Sequence, residues 1–209
     1  MKKLLYKIKA KFLDIFGNIR ISKLPPFLFY DDVVYKMNGD RIRDVLKVSK
    51  PGDVIIRGFD SYLDSMFVPS TRRYSHAGII VENGKVIHSV SPCVEKIDLI
   101  DFMQCDRIAI ARPSRNVRNA IKTAKEFLRN KTPYDFSFSC GESALYCFEL
   151  AAYCYPKLNV EKKTASIFHG LIKKSEKVYL SDSFFDSKDF TVVYEYNPKF
   201  GIDYISKLR

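Results

Sequence analysis

A thiol nucleophile needs an imidazole to take its proton and, usually, a third polar group to orient that imidazole. The sequence holds three histidines and five cysteines. His76 and His88 fall in YSHAGIIVE (74–82) and KVIHSV (85–90), β-type runs joined through Asn83-Gly84, so one hairpin carries both imidazoles. Cys147 falls in LYCFELAAYC (145–154), where Cys147, Leu150, Ala151 and Cys154 recur at helical spacing. A helix that packs this stripe on a sheet points the sulfur at the sheet's histidines. A start near Leu145, favoured by Gly141 over an earlier start capped by Ser139 and Glu142, sets the thiol by the helix N-terminus, where its pKa is lowered. The same stripe is also what a buried core face looks like, so periodicity alone leaves both readings of Cys147 open.

Strand register decides whether the two histidines can cooperate, because side chains alternate faces. A two-residue loop at Asn83-Gly84 would set His88 opposite Ile79 and on the other face from His76. Glu95 would then be the candidate for orienting His76. A three-residue loop of Glu82, Asn83 and Gly84, with glycine at positive φ, pairs Val81 with Lys85, sets His88 opposite Gly78, and makes His76 and His88 diagonal neighbours on one face. The sequence predicts the second arrangement, with that face meeting Cys147.

Other chemistries fit less well. A zinc site from His76, His88 and Cys93 or Cys147 lacks nearby carboxylates. A serine nucleophile at Ser143 lacks the second glycine of an elbow, since Leu145 stands there. No cofactor and no metal are expected.

The surrounding elements read as an α+β domain. A short helix is expected over 40–49, strands over 53–58, 74–82, 85–90, 94–97 and 107–113, a short helix over 98–103, and helices over 115–129 and 145–154. Beyond 157 the pattern suggests a helix around 164–174, polar turns at 181–189 and a strand at 190–196. Residues 1–50 form an N-terminal amphipathic helix and extended connection, 51–156 the core, and 157–209 a C-terminal extension completing the same domain.

Formal net charge is +11, and residues 1–23 hold seven Lys or Arg against Asp14 alone. Leu5, Ile8, Phe12, Ile15 and Phe16 recur among those lysines, so residues 2–17 suit either a helix packed on the domain or attachment to an anionic membrane surface. No nucleic-acid motif is present, and no nucleic-acid partner is expected. The odd cysteine number, without a Cys-x-x-Cys pair, favours a reducing compartment. Lys7, Lys9 and Lys11 interrupt any export signal, and no segment suits a membrane span, so a cytoplasmic or peripheral membrane location is expected.

In order along residues 51–155 stand Pro51-Gly52-Asp53, Tyr74-Ser75-His76 before small and β-branched residues, Leu99 to Phe102, Pro133-Tyr134-Asp135-Phe136, and Tyr146-Cys147-Phe148-Glu149-Leu150. This series resembles the circularly permuted papain-like cysteine hydrolases of the YiiX/YebB type, relatives of NlpC-type amidases and of lecithin retinol acyltransferase-like enzymes. The resemblance implies a papain-like core in permuted order, an antiparallel sheet or small barrel packed against helices. It implies that Cys147 attacks an amide- or ester-containing substrate, a cell-wall peptide or an acyl or lipid amide, through a thioester. His76 would be the base and His88 its orienting partner. The alternative is an inactive binding or structural module on the same fold. Phe148 and His88 stand where such proteins often have Ser and Glu, and Phe148 tilts the expected substrate toward acyl or lipid-like groups.

Overall fold

The computed structural model describes residues 8, 19–21, 28–30, 35–60, 74–139, 141, 143–167 and 172–205. The expected helix at 2–17 lies outside the described residues except for Ile8. A small antiparallel pair, β1 (Ile19–Ile21) and β2 (Leu28–Tyr30), precedes helix α1 (Gly39–Val48). The Asn38 side chain caps α1 by accepting from the Arg41 N–H, and Val45 and Val48 on its inner face are buried.

Seven strands make the main sheet: β3 (Val54–Gly58), β4 (His76–Val81), β5 (Lys85–Ser89), β6 (Val94–Asp98), β7 (Arg107–Pro113), β10 (Phe190–Asn197) and β11 (Ile202–Ile205). Their spatial order is β11-β10-β7-β3-β4-β5-β6, with antiparallel pairing throughout. Among the described residues the other helices and strands are α2 (Leu99–Phe102), α3 (Val117–Arg129), α4 (Cys147–Cys154), the antiparallel pair β8 (Lys163–Ile167) and β9 (Ile172–Val178), and α5 (Ser181–Phe185).

Alternation along the central strands divides the interior in two. Val54, Ile56, Ala77, Ile79, Val81, Ala109 and Ala111 turn to the side covered by α3 and α4, where Ala120, Ala124, Leu150 and Ala151 meet them. Ile55, Ile80, Val86, Ile108 and Ile110 turn to the side covered by α1 and α2, with Val45, Leu99 and Phe102. Strands buried on both faces explain the near-continuous apolar runs of β3, β4 and β7.

The Pro-Gly-Asp opening of β3 has a physical role. Gly52 adopts φ +92, and a Cβ there would meet Val117 Cγ1 at 2.5 Å, so only glycine lets the turn close under α3. Asp53, 1 % exposed, then accepts from Arg112 Nε at 2.9 Å and Nη2 at 2.7 Å, tying the start of β3 to the end of β7.

The tail differs from the expectation. Residues 163–167 and 172–178 pair as the antiparallel strands β8 and β9, where a helix around 164–174 was expected. These strands are rich in lysine and serine, with no apolar alternation to mark them, and they are held by pairing with each other. Residues 181–185 are helical instead of a polar turn, because Phe184 is fully buried against the core and Ser183 Oγ accepts from the Leu180 N–H. The end of the tail forms β10 and β11, and β10 pairs along β7 inside the main sheet.

Candidate active site

The β4–β5 connection is the three-residue loop Glu82–Gly84, with Gly84 at φ +63 and Val81 opposite Lys85. That register sets His88 opposite Gly78, and the two imidazoles meet: His76 Nε2 lies 2.7 Å from His88 Nδ1. Behind them, Glu95 on β6 is directly opposite His88, with Oε1 3.3 Å from His88 Nε2, an ion-pair distance not aligned as a hydrogen bond. Both imidazoles also pack against Phe102 of α2, each with ring centroids 5.6 Å from it.

Arg57 stands opposite His76 across the β3–β4 ladder. Its guanidinium lies 4.5 Å from the Phe102 ring centroid, and Nη1 donates to the Phe102 carbonyl at 3.2 Å. Burial, then the Arg57 charge, then His88 hold His76 well below the usual histidine range. His76 keeps a partly accessible edge, yet protein packs densely enough around the ring for burial to be the largest cause. Burial and then Arg57 bring His88, 2 % exposed, down to about 3. Both rings are therefore neutral near pH 7.

Cys147 is the first residue of α4. The helix begins there because the segment before it is pinned: Leu145 N–H donates to the Pro133 carbonyl, Asp135 N–H to the Leu145 carbonyl, and Ser89 Oγ to the same Leu145 carbonyl at 2.5 Å. Ser139 does not start a helix, since its N–H and hydroxyl donate to Asp135. The thiol is 4 % exposed and lies 3.8 Å from the Ser75 carbonyl, one peptide from His76. Burial pushes it up to about 11, against the amides of Ala77, Phe148 and Cys147, which favour the thiolate. This corrects the expectation that the helix N-terminus lowers its pKa, because desolvation outweighs the dipole.

The structure thus joins His76, His88 and Glu95 in one line and brings the sulfur to the strand at Ser75. It makes no hydrogen bond between Cys147 and either histidine. This corrects the expectation that the face shared by the two histidines meets Cys147: strand alternation turns the rings to the α2 side of the sheet with Phe102, whereas Cys147 belongs to the core on the α3–α4 side. Phe148 is 1 % exposed within that same core, so its ring packs inside the protein and not on an open wall beside the thiol. Arg57 was missed from sequence, and only the register that places it opposite His76 could have revealed it.

A solved structure, the metalloprotein YiiX of Escherichia coli O157:H7, is similar in fold with a TM-score of 0.57 at 20% identity, over 70% of this chain and 97% of that one. Comparison with curated protein sequences gave no match. The family described as permuted papain-like amidase enzymes, YaeF/YiiX, C92 family, matches residues 48–194, a span that includes His76, His88, Glu95 and Cys147, and the chain belongs to that family.

Proposed function

We propose that this chain is a cysteine-dependent amide or ester hydrolase that works through a thioester on Cys147, with His76 as general base. The observation that carries the reading is the 2.7 Å contact between His76 Nε2 and His88 Nδ1, one peptide from a sulfur held at a helix N-terminus. A Glu95 carboxylate beside His88 Nε2 favours the proton on that nitrogen, which makes His88 Nδ1 the acceptor. His76 Nε2–H then donates to it, and His76 Nδ1 keeps the lone pair that a base needs. His88 and Glu95 act as positioning residues in this scheme.

The thiol and imidazole start neutral, so proton transfer accompanies attack instead of preceding it. His76 Nδ1 takes the thiol proton as sulfur bonds to the carbonyl carbon. Cys147 N–H has no intrahelical acceptor and suits the developing oxyanion. Collapse expels the amine or alcohol, which takes the proton from the imidazolium. Water, deprotonated by His76, then cleaves the thioester and releases the acid. The resting rings lie with Phe102 on the far side of β4 from the sulfur, so a rotation of the His76 side chain that breaks its contact with His88 precedes these steps, and His88 and Glu95 set the resting tautomer of His76 without holding the ring during attack.

The similar solved structure is that of a metalloprotein. Among the described residues no three His, Cys, Asp or Glu side chains gather to hold a metal ion. A second reading, an inactive binding module, is favoured by the thiol pKa of about 11 and the missing thiol–imidazole bond. Intact-mass analysis after incubation with cell-wall peptides, acyl amides and phospholipids separates the two. An acyl adduct that disappears in Cys147→Ala and accumulates slowly in His76→Ala supports the hydrolase; no adduct with any donor supports the module.

A further inference from the structure

Helix α3 carries a second surface that the hydrolase reading leaves unused. Its inner face is apolar, with Ala120 and Ala124 fully buried. Arg118, Lys122, Lys125 and Arg129 are exposed on the other side, and their spacings of four, three and four residues confine them to an arc of about 60° along roughly 16 Å of helix. Lys125 is paired with Glu82. Arg118, Lys122 and Arg129, with exposed Lys131 just past the helix end, form no ion pair to a described residue. The first turn contains no acidic residue, so the positive end of the helix dipole adds to the same field.

We propose that this face of α3 is an electrostatic docking surface for a bilayer rich in anionic phospholipid. Charge complementarity selects an anionic partner. A bilayer is favoured over nucleic acid by two observations. No exposed aromatic side chain accompanies the stripe to stack on bases. The other strongly basic stretch, residues 1–23, interleaves its lysines with Leu5, Ile8, Phe12, Ile15 and Phe16, and Ile8 is 56% exposed; apolar residues among cations suit acyl chains and are useless to a phosphate backbone. A straight row of cations on a convex helix surface can also meet a plane of headgroups along its whole length.

The test uses the full chain with phosphatidylcholine vesicles, with and without phosphatidylserine, alongside a short DNA duplex and a single-stranded RNA. The expected result is salt-sensitive binding to the serine-containing vesicles only. The combined Arg118→Glu, Lys122→Glu and Arg129→Glu change should weaken it by about a hundredfold or more, while Arg118→Lys with Arg129→Lys retains it. Residues 1–23 keep their charge in every variant, so unchanged binding by the reversal variant would place attachment there and overturn the proposal. Preferential binding to nucleic acid, or no binding to the anionic vesicles, would overturn it equally. Should the triple variant fold poorly, Lys122→Gln alone should weaken binding about fivefold, and no change would count against the surface.

Discussion

Gly78 lies directly opposite His88, and the missing side chain is what lets the imidazole lean across β4 to reach His76. A Cβ at position 78 would stand 2.5 Å from Val86 Cγ1 and 3.2 Å from His88 Cβ. Gly78→Ala should therefore cost about 1–3 kcal/mol as Val86 and His88 move apart from the new methyl. Acylation of Cys147 should slow with it. Urea unfolding and adduct mass measure the two effects, and pairing the change with Val86→Ala should restore part of both. A Gly78→Ala protein with native stability and rate would remove glycine from the site's design.

The thiol of Cys147 is raised to about 11 and the imidazoles are neutral, so no thiolate–imidazolium pair exists in the resting site. A raised pKa means that thiolate accumulates only as pH increases. Alkylation of Cys147 should rise roughly tenfold per pH unit from pH 7 to pH 10, without an acidic plateau. It should still precede alkylation of Cys105, which burial raises to about 12. A rate independent of pH between 5 and 9 would mean a preformed ion pair and would sink this account.

The hairpin was legible in the sequence because its register depends on local chemistry: Gly84 supplies the positive φ that the three-residue loop needs, and the contact between His76 and His88 follows from counting. Cys147 at the start of α4 was legible for a similar reason, through Gly141 and the apolar stripe. Arg57 was not legible, because its place opposite His76 depends on a pairing across residues far apart in sequence. Phe148 was misjudged because helical spacing does not say how completely the rest of the chain covers a helix, and here it is covered on that side too. The β8–β9 pair was mistaken for a helix because its strands are rich in lysine and serine and owe their form to each other.

His88 also links the site to acid stability. Its pKa falls from 6.5 to about 3 in the folded chain, with burial the larger cause and Arg57 second. The unfolded chain therefore binds more protons between these values, so this contribution is complete above pH 6.5 and is lost as pH falls toward 3. For a side chain 2 % exposed the contribution is several kcal/mol in order of magnitude. His88→Phe should flatten the fall in unfolding free energy over that window relative to the natural sequence. Parallel curves for the two proteins would show that His88 does not titrate in this way.

Arg57 offers a test of the proton inventory that a structural role alone would not satisfy. Burial is the largest cause holding His76 neutral, and the Arg57 charge is the next. Removing that charge stabilises the imidazolium, so in Arg57→Met the base should be protonated at a higher pH than before. The acid limb of the acylation rate should move to higher pH, so activity at pH 5 falls more than activity at pH 8. Arg57→Lys keeps a cation opposite His76 and should keep most of the limb's position, although it loses the planar stacking on Phe102. A variant that only loosened the packing around Phe102 would lower the rate at every pH by the same factor. Such a uniform loss in Arg57→Met, with the limb unmoved, would mean that Arg57 supports the site by packing and that burial alone keeps His76 neutral.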